Sequence, residues 1–560
     1  MRTKVLVEEL RLPTYAVGRE DINPPYFEKN VYPYPKNDFL TSNKESVKYK
    51  AVILENEYLR ISILPELGGR VFSVFDKTSG KEVFYRNNVV KPALLGLRGG
   101  WISGGVEFNF LTNGTAGHTV STISPVDYLV KENVDGSATV LIGEIEQVSR
   151  MKWVVAITLR PGERLFEVGV KIFNRVFLPN RYYFWTNVSI PATENTRYIY
   201  PMNKAHYYFY SMYRIWYRQD KYTGPYPILN DLDLSWQKNH VDSNDIFGLK
   251  VDEDFFGYYD YKNSIGAIHV ADHNIVQGRK IWNWGNSDNA LFFSSKVLTD
   301  KDGHYAEIQS GRFETQGTFG VMGPLVYEDW KEYWYPVSNT NGFVYANKLA
   351  AINIQKSAGS DKIALNISLS VTKEVKDATL RVSVGNSLLF EDKISISPEM
   401  IYQKSVTMER DEPAEVNLVS SAGEKLLTYT ERRVDERLEL TKLPDKRRLL
   451  LTPQDLLLEG SRLERYGEVV NAKKMYERAI ELDREFMEGH LSLGKILLQM
   501  GLYDDAEKSF SKVLELDDHN EEAVVYLGVS LRETERFRGS EEALWKLLNS
   551  QKCWPLASYL

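Results

Sequence analysis

A 34-residue repeat near the end of the chain constrains its fold more than any other feature. Ala472, Tyr476, Ala479, Leu482 and Asp483 return as Ala506, Phe510, Val513, Leu516 and Asp517, each 34 residues on. Leu493-Gly494 returns as Leu527-Gly528, and Tyr503 as Phe537, at the same displacement. This period suits stacked pairs of helices, with small residues where helices touch and aromatics filling the gaps. Two clear units fall short of the about three that such a stack needs on its own, so the helices are expected to lean on the rest of the chain.

Upstream the period changes to two. Residues 58–64 alternate apolar and polar side chains, Pro65 and Gly68-Gly69 punctuate them, 71–75 resume the alternation, and a turn at 76–80 leads into a short strand at 81–85. Similar runs recur at 138–147, 152–159, 165–173, 182–190, 266–270 and 306–313. Many short strands with turn signals predict a large antiparallel β-sandwich over residues 1–350. A second alternating set, including Ile363, Leu365, Ile367, Leu369, Val371, Leu380, Val382 and Val384, predicts a small immunoglobulin-like sandwich over 351–435. Residues 436–560 are read as a linker followed by the helical repeats. The predicted fold class is therefore multidomain and mainly β, with an α-helical C-terminus.

The formal charge of −7 argues against a nucleic-acid partner. The single cysteine, Cys553, permits neither an intrachain disulfide nor a cysteine-based zinc site. The first ten residues carry acids where a signal peptide needs an apolar core, and no stretch is apolar enough for a membrane helix. The expectation is a soluble, cytoplasmic protein without a membrane partner. Nine of eleven tryptophans and six of eight histidines precede residue 340, so a ligand-facing surface is expected in the first domain.

The segment Trp101-Ile-Ser-Gly-Gly-Val-Glu107-Phe-Asn-Phe110 sets one carboxylate in a glycine-loosened, aromatic-flanked strand. Flat rings suit the apolar face of a sugar, and a carboxylate suits its hydroxyls or its chemistry.

The stretch 56–76, with its Gly68-Gly69-Arg70 turn between two strands, resembles the opening of the galactose mutarotase-like superfamily. The stretches at 159–163, 173–175 and 184–187 are similar to it as well. The chain further resembles an uncharacterised family in which such a domain, ending in the Tyr333-Trp-Tyr-Pro336 motif, precedes tetratricopeptide repeats; 271–274, 278–280 and 307–311 look like its other blocks. The resemblance implies a β-supersandwich with a carbohydrate-binding groove, and no particular reaction. Sugar 1-epimerases of the superfamily use a histidine acid and a glutamate base. Here Leu97-Arg-Gly-Gly100 replaces their usual Leu-His-Gly-Gly, and Asn187 stands where the catalytic histidine is expected. Mutarotation would then need His118 or His206 as substitute.

Glycoside cleavage needs one protonated and one ionised carboxyl flanking the bond. Glu107 is the lead candidate, with Glu307, on a strand, and Glu332, just before the Tyr-Trp-Tyr-Pro motif, as partners. Arg70 is a candidate clamp. Trp101, Trp282, Trp284 and Trp334 are candidate stacking platforms. His118 on its glycine-rich loop, Asn187, His206, Asp272 and His273 are candidate sugar ligands. The spacing His269, Asp272, His273 gives no fixed metal geometry, and neither a metal nor a cofactor is expected. The leading expectation is a glycoside hydrolase-type enzyme on an oligosaccharide or glycoside. The alternatives are a sugar epimerase and a non-catalytic carbohydrate-binding scaffold. In any of these the repeats could bind a protein partner or a second copy.

Overall fold

A computed structural model describes residues 2–18, 33–111, 117–209, 220–229, 231–358, 362–385, 387–431, 452–465, 469–550 and 553–560. The alternating runs upstream of 340 become two large antiparallel sheets laid face to face. The first has thirteen strands. Its path runs Lys4–Val17, Leu40–Glu55, Leu59–Leu64, Arg70–Asp76, Val106–Leu111, Asn180–Pro191, Tyr305–Gly311, Gly278–Asn283, Asn244–Gly248, Lys204–Phe209 and Asp220–Pro225, with two short strands off this path. The second, of eight strands, runs Thr196–Ile199, Phe255–Asp260, Ile265–Val270, Tyr327–Ser338, Phe166–Phe173, Lys152–Leu159, Ala138–Ile145 and Asp127–Glu132.

Alternation fixes what each face does, because successive side chains of a strand point to opposite sides. Phe108, Phe110, Phe184, Val188, Ile246, Ile281 and Ile308 of the first sheet meet Trp153, Val155, Phe166, Val168, Val170 and Trp334 of the second in one continuous buried core. Each such side chain contributes roughly 1.5–3 kcal/mol by leaving water. The residues between them in the first sheet point away from this core and are free to carry polar groups.

Two four-stranded sheets follow. One is ordered Tyr345–Ala346, Ala350–Ala358, Ile363–Val371, Tyr402–Met408, and the other Ser387–Ile396, Val375–Val384, Ala414–Val419, Lys425–Thr430. Their apolar faces share a core that includes Ile352, Leu365, Leu369, Leu380, Val416 and Leu418. Arg164 ties this small sandwich to the large one. Its guanidinium forks onto Asp76 at 2.9 and 2.5 Å and donates to the Ser338 hydroxyl at 3.0 Å and the Pro398 carbonyl at 3.1 Å.

The repeat forms the helix pairs Pro453–Arg465 with Val469–Leu482, Met487–Gln499 with Tyr503–Leu516, and Glu521–Glu533 with Phe537–Trp545. A Cβ on Gly460, Gly494 or Gly528 would lie 2.4, 2.6 or 2.6 Å from Tyr476, Phe510 or Leu544, so only hydrogen fits where the paired helices cross. These three glycines are themselves 34 residues apart, and they extend the two units read from sequence to three. The helices do lean on the β region: Leu178 packs against the cluster of Leu497, Phe510 and Tyr526, and Arg532 lies 5.0 Å over the Phe177 ring. The linker at 436–451 lies outside the described residues. Among the described residues, no helix is long and apolar enough to cross a membrane.

Candidate active site

Register in the thirteen-stranded sheet decides which side chains share the face turned away from the core. Asn187 pairs with Glu107 on one side and Gln309 on the other; the row continues through Lys280, Phe247 and His206 to Thr223. A second row on the same face runs Ser189, Glu307, Trp282, Asp245, Tyr208. Asn109 and Trp185 face each other one step beyond Glu107 and Asn187. Strands far apart in sequence thus bring acids, amides, a lysine and aromatic rings onto one polar face.

Glu107 sits at one end of the first row, 3% exposed. The predicted single strand over 101–110 is broken: Gly99–Trp101 belongs to a separate hairpin, and the sheet strand begins at Val106. Gly105 makes the turn between them. Its φ is +67°, and a Cβ there would lie 2.2 Å from the Val71 carbonyl oxygen. The turn brings Trp101 back over Glu107, where Nε1 donates to both carboxylate oxygens at 3.0 and 3.2 Å. His118 Nδ1 donates at 2.9 Å, Asn187 Nδ2 at 3.4 Å, and the Thr122 hydroxyl also donates. The Arg70 guanidinium stands 3.5 Å away. Burial alone would raise this carboxyl. The charge that His118 adds when protonated and the charge of Arg70, with the hydrogen bonds from His118 and Thr122, outweigh it and hold Glu107 well below the ordinary carboxylate range.

Glu307 is as buried but sits among weaker donors: the Tyr305 hydroxyl at 3.2 Å and Gln309 Nε2 at 3.0 Å. Burial pushes its carboxyl above the usual range. The negative charge of Glu107 adds to this, while His118 and Lys280 oppose it without prevailing. Two carboxyls on one face are therefore driven in opposite directions. In the first row, Lys280 Nζ lies 2.6 Å from Asp245 of the second and donates to Gln316 at 3.0 Å, within 5.2–5.6 Å of the Trp185, Phe247 and Trp282 ring centres. The His118 ring lies between Trp101 and Trp185, 4.5 and 5.6 Å away. Deeply buried polar atoms near Glu107 without a hydrogen-bond partner include Asn109 Nδ2, Trp185 Nε1, Asn187 Oδ1 and Arg70 Nε.

The predicted residues divide cleanly. Glu107, Glu307, Arg70, Trp101, His118, Asn187 and Trp282 come together, and His206 lies on the same face at the far end of its row, its Nδ1 2.6 Å from the Thr223 hydroxyl. Trp284 follows on that side, packed against Phe293 and Trp282. Four do not join them. Glu332 lies in the core between the sheets, accepting from His269 at 3.0 Å, Ser310 at 2.5 Å and Trp330 at 3.0 Å. Trp334, fully buried, packs edge-on against Phe84 and Phe256 in the same core. Asp272 and His273 sit on a turn after a strand of the other sheet, where His273 donates to Asp254 at 2.8 Å. The glycine-rich loop before His118 falls outside the described residues over 112–116. Sequence reasoning missed Asn109, Trp185, Lys280, Gln309 and Asp245. Counting in twos from Glu107 and Glu307 would have found Asn109 and Gln309; Asp245 carries no local signal.

Residues 28–337, more than half of the chain, match the model of the DUF5107 family, described as a domain of unknown function, and the chain belongs to that family. Residues 345–429 match the second domain of YphG-like proteins, and 488–520 match a tetratricopeptide repeat. A TPR-domain containing protein from Parabacteroides distasonis is similar in fold over 99% of this chain and 87% of its own, at 18% identity and a TM-score of 0.54. A galactose mutarotase-like protein from Clostridium acetobutylicum matches 52% of this chain and 96% of its own, at 12% identity and a TM-score of 0.38. One from Lactobacillus casei matches 51% and 99%, at 9% identity and a TM-score of 0.34.

Proposed function

We propose that this member of the DUF5107 family is a carbohydrate-active enzyme that works by general acid–base chemistry at the anomeric centre of a pyranoside, the reaction being glycoside hydrolysis. One observation carries the reading: two buried carboxyls on a single ring-lined face, one driven toward ionisation and the other toward protonation. Glu307, protonated, gives its proton to the glycosidic oxygen as the C1–O bond breaks. A water oxygen bonds to C1, and its proton passes to the unprotonated Nε2 of His118, whose Nδ1–H stays on Glu107. The sum is one water added across one bond. Glu107 acts through His118, because Trp101, Thr122, His118, Asn187 and Arg70 already supply more donors than its about four lone-pair sites can serve. Trp185 and Trp282 offer rings for the sugar face.

The test is a panel of glycosides followed by proton NMR, which reports both release of the aglycone and the anomer first formed. Glu307→Gln and His118→Asn are expected to lower turnover by about 10²–10⁴-fold with the fold intact. Unchanged turnover in Glu307→Gln would remove the proposed acid.

A second reading, sugar epimerisation, is supported by His118, which donates to Glu107; the resemblance read from the sequence sets Asn187 where the superfamily's histidine would stand. Anomer exchange above the spontaneous rate, with no new product, would select it. The helical repeats fit recruitment of a protein partner or a second copy, and a cytoplasmic setting suits the whole.

A further inference from the structure

We infer that the polar face is a trough closed at its Glu107 end, so that this enzyme takes the terminal unit of a glycan chain rather than a bond within it. This rests on the reading of the site above. On the side of Glu107 away from Asn187, the next strand turns Phe72 to the same face as Arg70. Beyond Arg70 the row meets Leu64, and the polar side chains Arg60, Ser62, Ser73 and Glu82 line a pocket bordered by Phe72. Phe72 packs with Leu12, Tyr49, Ile53, Val90 and Ile102 in an apolar plug. The segment supplying Val90 and Ile102 is pinned down: Asn87 donates to the Ser103 hydroxyl and the Leu298 carbonyl, both at 2.9 Å, and Tyr85 stacks on Tyr305 at 5.0 Å. In the other direction the burial relaxes. Glu107, Asn187 and Gln309 are 3, 2 and 2% exposed and Lys280 7%, whereas Trp282, His206 and Tyr208 are half-buried. The row from Glu107 to the His206 strand crosses five inter-strand spacings, about 24 Å, which accommodates several sugar units outside the closed end.

The closed end also carries a recognition pattern. Asn109 Nδ2 and Trp185 Nε1 are donors, Asn187 Oδ1 is an acceptor, and all three, like Arg70 Nε beside Glu107, are buried without a partner. Such atoms are costly to bury unless a ligand completes them. They fit the hydroxyls of one terminal pyranose: two hydroxyl oxygens accept and one hydroxyl donates. The acid and base named above then face the first glycosidic bond, and the rest of the chain leaves past Trp282 and Tyr208.

The experiment uses the full chain with malto-, cello-, xylo- and β-galacto-oligosaccharides of two to six units, each free and with the 4-hydroxyl of the terminal non-reducing unit methylated. Binding is followed by calorimetry on Glu307→Gln, and products by chromatography on the natural enzyme. Release of single units from the chain end, with the methylated series bound at least tenfold more weakly, is the expected result. Trp185→Phe, which keeps the ring and loses the N–H, should weaken binding of a free oligosaccharide about five- to tenfold. Fragments released from mid-chain, or equal binding of the methylated series, would overturn the closed end while leaving the sugar site standing. Binding of none of these glycans would overturn both.

Discussion

Replacing Arg164 by methionine should loosen the junction of the two sandwiches. Arg164 and Asp76 are 2% and 0% exposed, and their paired contacts at 2.9 and 2.5 Å form a fork inside the protein. Methionine fills much of the same volume but leaves the Asp76 carboxylate buried, with only the Thr78 and Ser79 donors of its own turn. Removing one partner of such a pair costs about 3–5 kcal/mol. At 1.4 kcal/mol per factor of ten, that is roughly a 10²- to 10³·⁵-fold gain in the opening equilibrium. The Arg164 amide donates to the Thr372 carbonyl at 2.7 Å across the junction, so hydrogen exchange at residue 164 reads the opening directly. Exchange should accelerate by about that factor, and Asp76→Asn added to Arg164→Met should return part of the loss by removing the stranded charge. Acceleration of less than about fivefold, or a double variant worse than the sum of the singles, would refute the argument.

Other expectations follow from the same geometry. Gly105→Ala places a side chain at φ +67° and 2.2 Å from the Val71 carbonyl; it should cost at least about 2 kcal/mol and displace Glu107, read as a lower melting temperature and loss of sugar binding. Gly494→Leu should separate its helix pair and lower helical ellipticity, because even a Cβ would meet Phe510 at 2.6 Å. His240, His269 and His304 are all pulled down by burial to about 4, so near pH 5 each is neutral folded and protonated unfolded. Each therefore contributes stability present above about pH 6.5 and lost as pH falls toward 4, and His304→Gln should reduce proton uptake on unfolding at pH 5 by about one. Glu307, raised by burial, has the opposite sign: its contribution is full at low pH and lost as pH rises through its folded value, and turnover should fall over the same range.

Much of this architecture was legible because it rests on short-range periods. Alternation over 152–159, 165–173 and 182–190 found strands of the core, and the 34-residue displacement found the helices. What escaped has physical reasons. Lys4–Val17 and Leu40–Glu55 are long strands at one edge, exposed along much of their length, so little burial pattern marks them. The third repeat unit hides because its marker is a single glycine, Gly460, required by a contact with Tyr476 that sequence does not display. At the site, Glu107 and Glu307 could be picked out, since carboxylates next to glycines and aromatics are unusual in strands. Glu332, read as a partner for Glu107, lies on the other sheet and points inward, which depends on sheet order. Asp245 and Lys280 meet only because two strands about 35 residues apart in sequence are neighbours.

The strands that carry the acids have a greasy side and a polar side, and neither can be edited alone. Shifting Tyr305–Gly311 by one residue would drive Glu307 and Gln309 inward and turn Ala306 and Ile308 out; the same slip in Gly278–Asn283 would turn Lys280 into the core between the sheets and Ile281 away from it. Packing thereby acts as proofreading for the polar face: a chain that lets this register drift loses its interior before it can acquire a different set of polar groups there.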